Sequence, residues 1–120
     1  DIVFLLTGDA QADEEAWILA HTDPALLHAD LLKVGHHGSR TSSSPPFLAA
    51  VQPSLGVISV GAGNRYGHPA SAVLARFASD GIPVLRTDLE GTFVISTDGH
   101  RLDVAAGGEH WSVPPRRGRR

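Results

Sequence analysis

Apolar residues come in short blocks along this chain, and the spacing within the blocks alternates between two periods. "IVFLL" (residues 2–6), "DLLKV" (30–34), "LGVISV" (55–60) and "PVLRT" (83–87) are apolar runs of strand length, while "GTFVIST" (91–97) and "RLDVAA" (101–106) flank a "DGH" turn suited to a hairpin. Between the first four runs the period lengthens to that of a helix. "ADEEAWILAH" (12–21) sets Asp13, Glu14 and Glu15 in a first turn, where the positive end of the helix dipole favours them. "PASAVLARFASDG" (69–81) spaces Ala70, Val73, Leu74, Phe77 and Ala78 along one face, with Pro69 at the first helical position and Gly81 as the stop. "SPPFLAAV" (44–51) predicts a short helix entered through prolines. Strand and helix in alternation predict crossover connections, hence an α/β fold with parallel neighbours and covering helices.

Parallel strands share one edge at their C-terminal ends, and the residues just beyond those ends carry the chemistry. "IVFLL" runs into Thr7-Gly8-Asp9, "LLKV" into Gly35-His36-His37-Gly38-Ser39, and "LGVISV" into "GAGNRYGHP" with Asn64 and His68. One carboxylate and three imidazoles are thereby sent to one rim, where α/β sheets place ligand sites. Asp9, His36, His37 and His68 suit Zn²⁺, Mn²⁺ or Fe²⁺ better than Mg²⁺ or Ca²⁺, which prefer oxygen shells. Adjacent histidines point in different directions, so one of His36 and His37 is expected to face a given ion. Hydrolysis is the natural use, with Asp9 able to bridge two ions for in-line attack on phosphorus. Ser39, Thr41, Ser42 and Ser43, with Arg40, could hold phosphate oxygens. Each residue also has a plainer role: Asp9 as a turn or cap, His68 as the cap of the following helix, and the His36-His37 pair as structural. His21, His28, His100 and His110 lie in polar contexts that predict surface positions, and no "GxSxG" elbow makes Ser39 a nucleophile.

Composition narrows the picture. The 120 residues suffice for one domain, and there is no cysteine, which excludes disulfides and thiolate metal sites and leaves histidine and carboxylate as the ligands for any metal. No apolar stretch reaches transmembrane length, and the start lacks the pattern of a signal peptide. The chain opens on Asp1 directly before a strand pattern and contains no methionine, which suggests a fragment of something longer. The net charge of −3 hides an asymmetry: residues 1–32 hold seven carboxylates and no Lys or Arg, while residues 31–79 hold Lys33, Arg40, Arg65 and Arg76 and no carboxylate. An anionic ligand such as phosphate would be drawn to that middle segment. The end, "PPRRGRR", reads as a solvated tail with weak nucleic-acid contact as its other use, so the expected division is a domain over residues 1–105 and a disordered Pro/Arg-rich tail over 106–120.

In their order and spacing, "LLTGD", "LLKVGHHGSRTSSS", "PSLGVISVGAGNRYGHP" and "VLRTDLEGTFVI" resemble the C-terminal half of the metallo-β-lactamase-like domain of ComEC-family competence DNA-uptake proteins, over residues 1 to about 97. The resemblance implies half of an αββα sandwich, a mixed sheet with covering helices. It also implies a metal-dependent nuclease, with two Zn²⁺ or Mn²⁺ ions in the complete domain, that degrades the DNA strand not imported. Asp9 matches the family's metal-bridging aspartate, His36-His37 its "HHGS" motif and His68 its "GHP" motif, which makes Asp9, His37 and His68 the expected catalytic residues. Ser39, Arg40, Thr41, Asn64 and Arg65 are expected near substrate phosphate. The superfamily's "HxHxDH" or "HxDxDH" motif is absent from these residues, as are the first sheet and the membrane channel segments. The implied partners are therefore single-stranded DNA or another phosphodiester, the missing N-terminal half or a dimer mate, and the channel segments of a parent in the bacterial inner membrane. Two alternatives stay open: a hydrolase of RNA, a cyclic nucleotide or a small ester, and a catalytically silent binding module.

Overall fold

A computed structural model describes residues 1–115. The four apolar runs form β1 (Phe4–Leu6), β2 (Leu31–Lys33), β3 (Leu55–Ile58) and β4 (Val84–Arg86), one parallel sheet in the order β1-β2-β3-β4. Pairing runs in register from Leu6 to Lys33, Lys33 to Val57 and Ile58 to Arg86, so all four C-terminal ends meet at one edge. The connections carry α1 (Ala12–His21), α2 (Pro24–Leu27), α3 (Pro45–Val51) and α4 (Ser71–Ser79), and a short α5 (Thr87–Glu90) follows β4.

Side-chain alternation along the strands separates two cores. Leu32 and Ile58 face Phe47, Leu48 and Val51 of α3 and Val73 and Phe77 of α4, a dry layer between sheet and helices. Leu31, Leu55, Val57 and Leu85 face the opposite way, against Leu102 and Val104. Those last two belong to a second sheet, β5 (Phe93–Thr97), β6 (Leu102–Ala106) and β7 (Glu109–Val113), antiparallel in the order β5-β6-β7. The layers are thus helix, parallel sheet, antiparallel sheet.

Four expectations change. The strands divide into two sheets instead of one mixed sheet, because the hairpin folds back over the apolar face of β2–β4 that would otherwise be bare. The domain runs past residue 105: "EHWSV" sets Trp111 and Val113 opposite Val104 and Leu102, which makes β7 from residues assigned to a disordered tail. Residues 116–120, the rest of that tail, lie outside the described residues. Pro114 and Pro115 line a cavity of about 320 Å³ with Pro53, Ser54, Gly81 and Pro83, at the sheet edge opposite the histidines. The fourth change is at α4, which starts at Ser71 because Pro69 packs against Gly38 instead of opening the helix. Among the described residues both outer strands of the parallel sheet, β1 and β4, keep a free edge. β1 pairs only with β2, and Phe4 and Leu6 on its antiparallel-sheet side are exposed, Leu6 at 67%.

Candidate functional site

Three loops leave the C-terminal edge of β1, β2 and β3 and are fastened to one another by their backbones. The His36 N–H donates to Gly8 O at 2.9 Å, joining the loop that follows β2 to the one that carries Asp9. A Cβ on Gly35 would lie 2.7 Å from Ala10 O and 3.2 Å from Thr7 Oγ1, so only glycine lets these two loops approach. On the other side the Ala70 N–H donates to Gly38 O at 2.8 Å, and a Cβ on Gly38 would lie 2.6 Å from Pro69 Cβ. Gly38 (φ 80°) continues a left-handed turn begun by His36 (φ 50°) and His37 (φ 55°). Two consecutive non-glycine residues in that region cost about 1–2 kcal/mol each. Such strain persists where the surroundings over-determine it, commonly at functional sites.

The turn spreads the two imidazoles and brings one of them to His68. The His36 ring centroid lies 5.8 Å from that of His68, edge to face, and 6.4 Å from that of His37. The His37 Nδ1–H donates to Ser59 O at 2.7 Å. A carbonyl can only accept, so Nδ1 carries the proton, and in the neutral ring this leaves the Nε2 lone pair for a ligand, the usual tautomer of a histidine ligand held by its other nitrogen. His36 Nδ1 is buried and has no hydrogen-bond partner. Asp9 is exposed beside Gly8, whose carbonyl anchors His36. Among the described residues, no three His, Asp or Glu side chains form a group that could hold a metal ion. Among the described residues the rim thus gathers three imidazoles without forming such a group.

The hydroxyl and amide residues expected at substrate phosphate are spent on the loops themselves. Ser39 Oγ shares a hydrogen bond with Thr41 Oγ1, which donates to Gln11 Oε1 at 2.8 Å, and Ser42 Oγ donates to Ser39 O. Asn64 donates from Nδ2 to Gly61 O and His68 O, and its Oδ1 accepts the N–H groups of Tyr66 and His68. Its amide fixes the loop that presents His68 and leaves little for a ligand. Arg40 and Arg65 are exposed on two neighbouring loops. Arg76, the third arginine of the cationic segment, donates from Nη1 to Ser42 O and Ser43 O and so belongs to the scaffold.

Several supporting residues escape a reading of the sequence. Glu15 is buried, at 1% exposure, and its carboxylate accepts the Ser43 N–H at 2.5 Å and the Ser44 N–H at 2.8 Å. Its signal was its spacing of three and four residues from Ile18 and Leu19, which share the core-facing side of α1. Thr87 Oγ1 accepts the Val60 N–H at 2.7 Å and donates to Val60 O at 2.8 Å, tying β4 to the start of the His68 loop. Beyond it Arg86 forms two hydrogen bonds to Asp88, at 3.0 and 2.7 Å. That pairing holds the Asp88 carboxyl below its ordinary range against the opposing effect of burial, and it raises the Arg86 guanidinium.

Comparison with known proteins gives this rim a context. The chain is 43% identical over 89 residues to ComE operon protein 3 of Bacillus subtilis, a match that covers 74% of this chain and 11% of the relative. It is 45% identical over 87 residues to competence protein ComA of Neisseria gonorrhoeae, covering 72% of this chain and 12% of that one. With recombination protein 2 of Haemophilus influenzae it shares 38% over 100 residues, 83% of this chain and 12% of the relative. The chain spans only about a ninth to an eighth of the length of these relatives. No protein-family model matches it, and no solved structure matches it. Over this one segment the chain is similar to ComE operon protein 3, competence protein ComA and recombination protein 2, the relatives expected from its resemblance to ComEC-type competence proteins.

Proposed function

We propose that this chain carries the histidine-loop half of a metal-dependent nuclease site in a DNA-uptake protein, within a metallo-β-lactamase-like αββα sandwich. The observation that carries the reading is the rim itself. Three imidazoles gather on strained, cross-braced loops, His37 is held in a ligand-ready tautomer, and the donors stop short of a full shell. His37, His68 and Asp9 would join donors from outside these 120 residues to hold Zn²⁺ or Mn²⁺, ions that supply an acidified water for attack on phosphorus. The open edge of β1 and the exposed Phe4 and Leu6 are where the rest of the domain or a second copy would continue the sheet. No helix of the described residues is long and apolar enough to cross a membrane, so channel segments of the kind expected in the inner membrane would lie elsewhere in the protein.

The helix–sheet–sheet layering and the competence proteins among the relatives support this reading. The test is cleavage by the full-length gene product, with Mn²⁺ or Zn²⁺, of single-stranded DNA, RNA and a lactone in parallel. Metal-dependent cleavage of single-stranded DNA that Asp9→Asn and His37→Ala abolish is the expected result, with the 120-residue chain silent. Turnover of the lactone or RNA alone would replace the substrate, and robust cleavage by the 120-residue chain would refute the half-site.

A further inference from the structure

Among the exposed aromatic side chains of the described residues, one follows an exposed arginine in a stretch of sequence without carboxylates. Trp17, on α1, already stacks on His21 at 4.2 Å beside the acidic first turn of Asp13 and Glu14. Trp111 lies on β7 with Glu109 on the same strand and Asp103 on the neighbouring one, and Phe4 lies on the open strand β1. Tyr66 is different: it is 75% exposed, follows the exposed Arg65, and its ring centroid lies 5.8 Å from that of His68. A large apolar ring left in water at a rim needs a reason, and its backbone is not loose. Asn64 Oδ1 accepts the Tyr66 N–H at 3.2 Å and the His68 N–H at 3.0 Å, so the ring is carried on the same braced turn as the histidine. No carboxylate occurs between residues 31 and 79, and Arg40 is exposed on the adjoining loop.

We propose that Tyr66 is the stacking platform for a nucleobase of single-stranded nucleic acid, with Arg65 on the adjacent phosphate, holding the strand beside His68. The proposal rests on the reading of the rim as a nucleic-acid site and adds the basis of its preference for single strands. An aromatic face accepts any unpaired base, whereas in a duplex the base faces are already stacked. Arg65 contributes a phosphate contact that salt weakens, while the ring contributes an attraction that salt barely affects. Tyr66 is thus a binding residue and needs no metal to act.

Photo-cross-linking tests this without cleavage. The 120-residue chain is irradiated with a 5-iododeoxyuridine single strand and, separately, with the same strand in a duplex, then digested with trypsin. The expected adduct lies on the peptide Tyr66–Arg76, forms with the single strand, and is weak with the duplex. Tyr66→Leu should lose it and weaken single-strand binding by about fivefold to a hundredfold, equivalent to about 1–3 kcal/mol, while Tyr66→Trp retains both. Far-UV circular dichroism of each variant separates a binding loss from misfolding. Adducts on another peptide, no single-strand binding, or equal binding by Tyr66→Leu would overturn the proposal. If the full-length protein fails to cleave but the Tyr66 adduct forms, the nuclease reading falls and the platform stands. If it cleaves and that adduct does not form, the platform falls and the nuclease reading stands.

Discussion

Replacing Glu15 tests how the loop that follows the histidine pair is held. Its carboxylate accepts two backbone N–H groups, from the buried Ser43 and the half-buried Ser44, and Ser43 sits in the left-handed region at φ 54°. Removing both acceptors in Glu15→Ala strands the Ser43 amide without water and leaves Ser44 to partial solvation, at about 3–4 kcal/mol in all. Glu15→Gln keeps one carbonyl acceptor and turns an amide NH₂ toward the other N–H, for about 1.5–3 kcal/mol. For a domain of this size each kcal/mol lowers Tm by about 3–5 °C, so the two variants should melt about 10–20 °C and about 5–15 °C below the parent. Urea unfolding followed by tryptophan fluorescence gives the free energies. Amide exchange at Ser43 and Ser44 gives the location, and both amides should lose protection in Glu15→Ala. A Glu15→Gln variant within about 0.5 kcal/mol of the parent would refute the clamp, because that is the spread of surface substitutions.

The braces between the loops and sheets have other consequences. Gly38→Ala sets a Cβ 2.6 Å from Pro69 Cβ at φ 80° and should cost about 2–4 kcal/mol in urea unfolding; an unchanged midpoint would mean that the two loops do not pack together. The Asp88 carboxyl is held low by its hydrogen bonds to Arg86, so its contribution is fully present above about pH 4 and is lost as pH falls through the lower folded value. Asp88→Asn should flatten that acid limb in urea midpoints taken between pH 3 and pH 6, and an unaltered limb would count against the pairing. Ending the chain at Ala106 deletes β7 and the cover it gives Leu102 and Val104, a loss of about 3 kcal/mol or more relative to a chain ending at Pro115, which keeps β7. Equal melting of the two truncations would show β7 to be dispensable.

The parallel sheet and its rim were legible because each strand is a short apolar run and the first three runs lead into glycine-bearing loops with polar residues. The bounds of α1 matched the pattern of "ADEEAWILAH", from Ala12 to His21. What the sequence hid was which neighbour each polar group meets. An acidic residue in a first helical turn already has a reason to be there, and the spacing of Glu15 from Ile18 and Leu19 marks its face of α1 but not the loop 28 residues away that it anchors. The hydroxyls of residues 39–44 look alike whether they hold phosphate or their own backbone, and here Ser39, Thr41 and Ser42 hold the loop. β7 is five residues long with polar side chains at alternate places and prolines after it, a pattern that composition alone assigns to a tail. Pro69 was a sound candidate for the first turn of α4, and its packing on Gly38 moved the helix start to Ser71.

The central claim is that the rim is part of a metal site completed from beyond this segment. Zn²⁺ and Mn²⁺ binding measured side by side by calorimetry, in the 120-residue chain and in the full-length gene product, tests it most directly. The account predicts weak binding at most by the chain, and tight binding of two ions by the full-length protein that His37→Ala and Asp9→Asn each diminish. Tight binding by the chain alone, or full-length binding indifferent to both substitutions, would contradict it.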